Sequence, residues 1–174
     1  MPPSIQALLA ARLDRLSPEE RLVLEAAAVI GRDVFAGAVR ELVPEDARER
    51  VPSDLMGLVR KELIQPIPTT LRGEDAFRFR HLLIRDAAYN ALPKATRAEL
   101  HERFADWLGE HGSTLVELDE ILGYHLEQAY RYRSELGELD DHGRELGTAA
   151  SRRLAASGER ALARGDMHAA AGLL

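Results

Sequence analysis

The chain has 174 residues, 45% hydrophobic and 30% charged, enough apolar content for one large or two small packed domains. It has no cysteine, which excludes disulfides, thiolate zinc sites and cysteine nucleophiles. The net charge of −6 argues against a dedicated nucleic-acid binder. No run reaches membrane-spanning length and the first residues do not open a signal peptide, so a cytoplasmic protein with no membrane partner is expected.

Ser4 to Leu16 reads as an amphipathic helix with Ile5, Leu8, Leu9, Leu13 and Leu16 on one face. Ser17-Pro18-Glu19-Glu20 then starts a second helix, with Ser17 at the N-cap, Pro18 at the first helical position and Glu20 in the reciprocal capping contact. From Leu22 to Ile30 it is apolar almost all round, which predicts a central place in a core, and Gly31 ends it. A short helix over Val34–Leu42 is expected to turn Phe35, Val39 and Leu42 inward, until Pro44 stops it. Ser53 is the expected cap of a helix from Asp54 to about Leu63. Ile64–Ile67 is held extended by Pro66 and Pro68. Thr69–Asp75 reads as a flexible loop, and the strand that follows completes a hairpin. Three helices and a two-stranded hairpin are the order of a winged helix.

The stretch from Phe77 to Tyr89 changes period partway. Phe77, Phe79 and His81 alternate with Arg78 and Arg80, as in a strand, and a helix follows from Leu83. His81 therefore sits in front of a helix N-terminus, whose unpaired N–H groups favour an anion. Three roles are open to it: a junction residue whose ring nitrogens meet nearby carbonyls, a phosphate contact, or a pH switch. The residues alone favour the first.

After Pro93, Leu100, Phe104, Trp107 and Leu108 form one helical face. Ile121, Leu122, His125 and Ala129 form another, in a helix from about Val116 to Arg133. Residues 134–145 are polar and acidic and read as a loop, and a long helix is expected from about Arg144 to Arg164. Gly165-Asp166 breaks it, and Met167–Leu174 begins a further helix whose apolar face stops short, as in a fragment of a longer protein. Residues 156–170 are similar to a tetratricopeptide hairpin, with small residues at the crossing.

No Gly-rich loop ending in Gly-Lys-Ser/Thr occurs, so the chain by itself is not expected to hold a triphosphate tightly or to be an enzyme. The histidines at 81, 101, 111, 125, 142 and 168 show no metal spacing, and no metal or catalytic site is expected. His101 and His125, on or beside apolar faces, read as partly buried structural residues. For DNA, the recognition-helix candidate Ser53–Leu63 offers Arg60 and Lys61 against Asp54 and Glu62, and the hairpin adds Arg72, Arg78 and Arg80. That face is mixed, whereas phosphate contacts need a net basic one.

Phe-Arg-His81-Leu-Leu-Ile-Arg-Asp86-Ala-Ala-Tyr89 and Gly123-Tyr-His-Leu-Glu-Gln-Ala-Tyr130 carry a resemblance to STAND-type P-loop ATPases. It is closest to the bacterial regulators fused to adenylate or guanylate cyclase domains or to LuxR-type DNA-binding domains. The resemblance implies three segments: residues 1–16 as the last helix of the ATPase lid, 17–93 as the winged helix, and 94–174 as the start of a tetratricopeptide-like helical region. The implied fold is mostly α. The implied work is signal transduction, coupling nucleotide state to a helical-repeat sensor and to a cyclase or transcriptional output. In such proteins a winged-helix histidine of a Met-His-Asp motif contacts the β-phosphate of ADP. That role would fall on His81, with Arg80 standing for the Met and Leu82 for the Asp. The implied cofactors are ADP or ATP with Mg in the parent protein. The implied partners are an upstream P-loop ATPase domain, further repeats downstream, and a protein or effector bound by the repeats. The alternatives are a DNA-binding winged helix with a helical dimerisation region, and a tetratricopeptide-like adaptor.

Overall fold

A computed structural model describes residues 11–69, 71 and 73–165. The expected helices over Ser4–Leu16 and Met167–Leu174 therefore lie largely or wholly outside the described residues, although 11–13 are helical. The protein is mostly helical, with one small three-stranded antiparallel sheet. It divides into two compact units, Met1–Pro93 and Lys94–Leu174. Among the described residues, no helix is long and apolar enough to cross a membrane.

In the first unit, α1 (Pro18–Ile30) begins where the sequence places it. The Glu20 amide donates to the Ser17 hydroxyl at 3.1 Å, and the Ser17 amide donates to the Glu20 carboxylate at 3.0 Å. Two of the amides that a helix start leaves unpaired are thus satisfied reciprocally. Val23, Leu24 and Ala26 through Ile30 are buried, and α1 packs against α2 (Ala36–Leu42), α3 (Val51–Arg60) and α4 (Leu82–Ala91). Ser17→Ala is expected to cost about 1 kcal/mol in a urea melt, and Ser17→Asp to retain most of that, because either oxygen can accept the Glu20 amide.

Three boundaries differ from the sequence reading. Val34 and Phe35 are not helical: Asp33–Phe35 is strand β1, and the helix starts at Ala36. β1 pairs with β3 (Ala76–Phe79), which also pairs with β2 (Ile64–Ile67), giving the order β1-β3-β2. Directly opposite in the register, Arg78 grips Asp33 through two bonds of 2.6 and 2.8 Å. Glu74 and Asp75, just before β3, are anchored on the start of α2, since the Gly37 amide donates to Glu74 at 2.7 Å and the Ala36 amide to the Asp75 carbonyl at 2.9 Å.

The second and third differences concern α3. A 3-10 turn over Glu45–Arg50 runs into it at Val51, so Ser53 lies inside the first turn and donates its hydroxyl to the Arg50 carbonyl at 2.7 Å rather than capping the helix. Its other end is Arg60, not Leu63. The Leu63 amide reaches back to the Leu58 carbonyl at 3.0 Å and the Glu62 amide to Val59 at 2.9 Å, with Glu62 left-handed at φ 56°. This is a Schellman ending with glutamate where glycine is usual, and Leu58 and Leu63 are both buried.

In the second unit, α5 (Lys94–His111) packs on α6 (Leu118–Leu136), and α6 on α7 (Asp141–Ala163). The expected α5 face, Leu100, Phe104, Trp107 and Leu108, is buried. The expected loop over 134–145 is much shorter. α6 runs on to Leu136, and Asp140 caps α7 by accepting the Gly143 amide at 2.7 Å. Asp140 and Asp141, which read as loop, are the cap and first turn of a helix, where negative charge is favourable. Gly123 allows the closest approach of α6 to α7, because a Cβ there would lie 2.7 Å from the Leu154 side chain and 3.1 Å from its backbone nitrogen. Asp119 fastens the same pair of helices, accepting from Arg153 at 2.6 Å and lying 2.8 Å from Arg160. The Arg153 bond comes first among the causes that hold its carboxyl below the ordinary range.

Candidate functional site

His81 terminates β3 and is the N-cap residue of α4, with extended backbone angles of −137° and 134°. Its carbonyl accepts the Ile84 amide at 3.0 Å, but its side chain makes no capping bond. The ring is exposed and bonds to none of the described residues. The junction role, with ring nitrogens meeting nearby carbonyls, is thus corrected: the backbone of His81 forms the junction and its imidazole is left to solvent. The first amides of α4 lack a side-chain acceptor as well. Leu82 beside it is 58% exposed.

Arg85, one turn further, has structural work. Its Nε donates to the Ala28 carbonyl at 3.1 Å, one of the last-turn carbonyls of α1 that the helix leaves unpaired. Its guanidinium also lies 5.3 Å from the Tyr89 ring centroid and 3.3 Å from Asp86. The sequence marked Arg85 only as a helix residue, since nothing local ties position 85 to position 28.

Of the five basic residues weighed for nucleic acid, two are committed to carboxylates. Lys61 is paired with Glu20, and Arg78 with Asp33. Burial works against the charge of Glu20, yet Lys61 and the Ser17 amide outweigh it and hold the carboxyl below its usual range. Asp54 is pushed up by burial, with Glu19 and Glu20 adding to the rise and Arg50 opposing it. Arg60 and Arg80 are exposed, and Arg72 lies outside the described residues. The described α3 surface is thus electrostatically mixed, whereas a phosphate backbone calls for a net basic face.

Of the other histidines, two lie in the helical core as the sequence reading has them, fully rather than partly buried. His101 and His125 are fully buried, 0% and 2% exposed, with their Nδ1 atoms 2.8 Å apart. Sequence spacing marked their apolar faces but not their meeting across two helices. His111 stacks on Trp107 and sits 2.9 Å from its carbonyl, His142 lies 2.5 Å from Glu102, and His168 falls outside the described residues. Among the described residues, no group of three His, Asp or Glu could hold a metal ion. A groove of about 550 Å³ between α6 and α7 is lined by Tyr130, Arg131, Arg144, Thr148 and Leu154 among others, without a paired acid and base.

No family model matches the chain, and no solved structure matches it. A stretch of 127 residues, 72% of the chain, is 28% identical to part of an uncharacterized protein from Rhizobium meliloti (strain 1021). The chain spans 12% of the length of that protein.

Proposed function

We propose that this chain is a regulatory segment of a STAND-type P-loop ATPase, in which His81 contacts the β-phosphate of bound ADP and the helices after Pro93 begin a tetratricopeptide-like sensor. The observation that carries this reading is the imidazole of His81. It is exposed, bonded to none of the described residues, and set at a strand end in front of uncapped helix amides. Such amides and a ring N–H together suit a phosphate oxygen. The order of helices and strands in the first unit supports a winged helix, and the close crossing at Gly123 supports a tetratricopeptide-like hairpin. The length of the Rhizobium relative is compatible with a large multidomain regulator. In this reading the chain hydrolyses nothing itself. ADP or ATP with Mg is held by an upstream ATPase domain, the repeats receive a protein or small effector in the cytoplasm, and the output is a cyclase or a transcriptional domain. The commitment of Lys61 at the end of α3 and of Arg78 on β3 weighs against the DNA-binding alternative.

The test is made in the intact protein. His81→Ala is expected to remove a contact worth about 1.5–3 kcal/mol in the ADP state alone, raising ADP release and basal output about tenfold or more. Because the ring bonds to none of the described residues, thermal stability should stay nearly unchanged. Arg85→Ala should do the reverse, lowering the melting temperature by loosening α4 from α1 with little effect on ADP release. Unchanged ADP release in the His81 variant would overturn the reading, as would micromolar binding of Mg-ATP by the 174-residue chain alone in calorimetry.

A further inference from the structure

The second unit contains a pair of titratable groups that the proposed function does not use. His101 on α5 and His125 on α6 are 0% and 2% exposed, and their Nδ1 atoms are 2.8 Å apart. Two lone pairs or two N–H groups cannot face each other at that distance. One ring must carry its proton on Nδ1 and donate, while the other carries its proton on Nε2 and accepts. The bond therefore needs the two neutral rings in opposite tautomers, with either one as the donor.

The surroundings are mainly aromatic. The Phe104 ring stands edge-on to His125 at 4.6 Å, and Tyr124 does so at 5.1 Å. Tyr132 stacks beside His101 at 6.2 Å. Of the charged groups on α5, Arg97 faces the pair across Tyr132, donating to its hydroxyl at 3.3 Å with the guanidinium 5.5 Å from the ring centroid. Glu102, next to His101, is taken up by Arg133 of α6 at 2.6 Å and His142 of α7 at 2.5 Å. Arg103 turns to Glu99. From α6, the titratable groups beside the pair are the phenols of Tyr124 and Tyr132.

We propose that the His101–His125 pair is a proton-operated latch in the helical unit: the neutral pair bonds α5 to α6, and proton uptake releases them. The proposal is independent of the nucleotide reading. A first proton places a buried cation among aromatic rings, one of which, Tyr132, already holds the Arg97 guanidinium, and burial disfavours that charge. A second makes donors of both Nδ1 atoms, abolishes the bond and sets two positive charges against each other. In the unfolded chain both rings take up protons freely near pH 6.5. As pH falls through that value the unfolded state binds more protons than the folded one, so the latch stabilises the fold above it and is lost below it.

The experiment uses the full chain. Urea unfolding is followed by the emission of Trp107, the single tryptophan, which lies in α5. Between about pH 7.5 and about pH 5.5 the folding constant should fall at least about tenfold, and about a hundredfold if the folded pair takes up no proton. His125→Asn keeps a polar side chain without a titrating ring, and should reduce that loss by about tenfold. Ring-nitrogen NMR of the unsubstituted protein, which needs no variant to fold, should show one Nδ1–H and one Nε2–H ring at neutral pH. Both should charge only as the α5–α6 helical signal is lost. The proposal is overturned if either ring charges while these helices stay intact, if the folding constant changes less than about threefold, or if His125→Asn keeps the full acid loss.

Discussion

Phe104→Ala is expected to destabilise the helical unit by about 3–5 kcal/mol. Phe104 is 2% exposed, stands edge-on to His125 and lies 6.1 Å from the Trp107 ring. Truncation removes its apolar area from the core and leaves a cavity that α5 and α6, already joined through the histidine pair, can close only in part. The readout is urea unfolding followed by Trp107 emission, since the single tryptophan of the chain lies in this unit. A loss below about 1 kcal/mol would mean that the ring is not packed as described. Phe104→Leu, which keeps more of the volume, should cost clearly less.

The corresponding experiment in the first unit is Leu24→Ala, with an expected cost of about 2–5 kcal/mol. Leu24 is 0% exposed on α1, the helix that α2, α3 and α4 all pack against. A cavity there cannot be relieved by moving one outer element, because α1 is enclosed by the other three. Amide exchange of α1 is the suitable measure, as the single tryptophan lies in the other unit. Protection should fall by about thirtyfold or more in the variant, while Leu24→Met should stay within about 1.5 kcal/mol of the unsubstituted chain. Undiminished α1 protection in Leu24→Ala would displace α1 from the centre of the unit.

These predictions rest on parts of the protein that differ in how plainly the sequence displays them. The start of α1 is written within four residues, Ser17 to Glu20, because a capping box satisfies its own amides and needs no distant partner. The burial of α1 and the inward face of α5 follow from helical periodicity, and β2 from prolines that bar other conformations. Strand β1 could not be read in this way. Three residues carry no period, and Asp33–Phe35 is extended because β3, more than forty positions away, supplies its hydrogen-bond partners. The end of α3 was hidden for a related reason. Glu62 takes a left-handed conformation that glutamate disfavours by itself, held by the backbone bonds from Leu63 to Leu58 and from Glu62 to Val59.

The side chains that matter most for function divide along the same line. The sequence by itself placed His81 between a strand and a helix, since the change of period is local. Only the tertiary structure decided that its ring is left exposed while Arg85 is drawn to the Ala28 carbonyl. Likewise, helical spacing put His101 and His125 on or beside apolar faces, but their meeting depends on how α5 and α6 align along each other. Capping, periodicity and proline act within about one turn of the chain, so sequence determines them. Ring-to-ring contacts and orphan carbonyls are matched across the fold, where only the packed helices bring the partners within bonding distance.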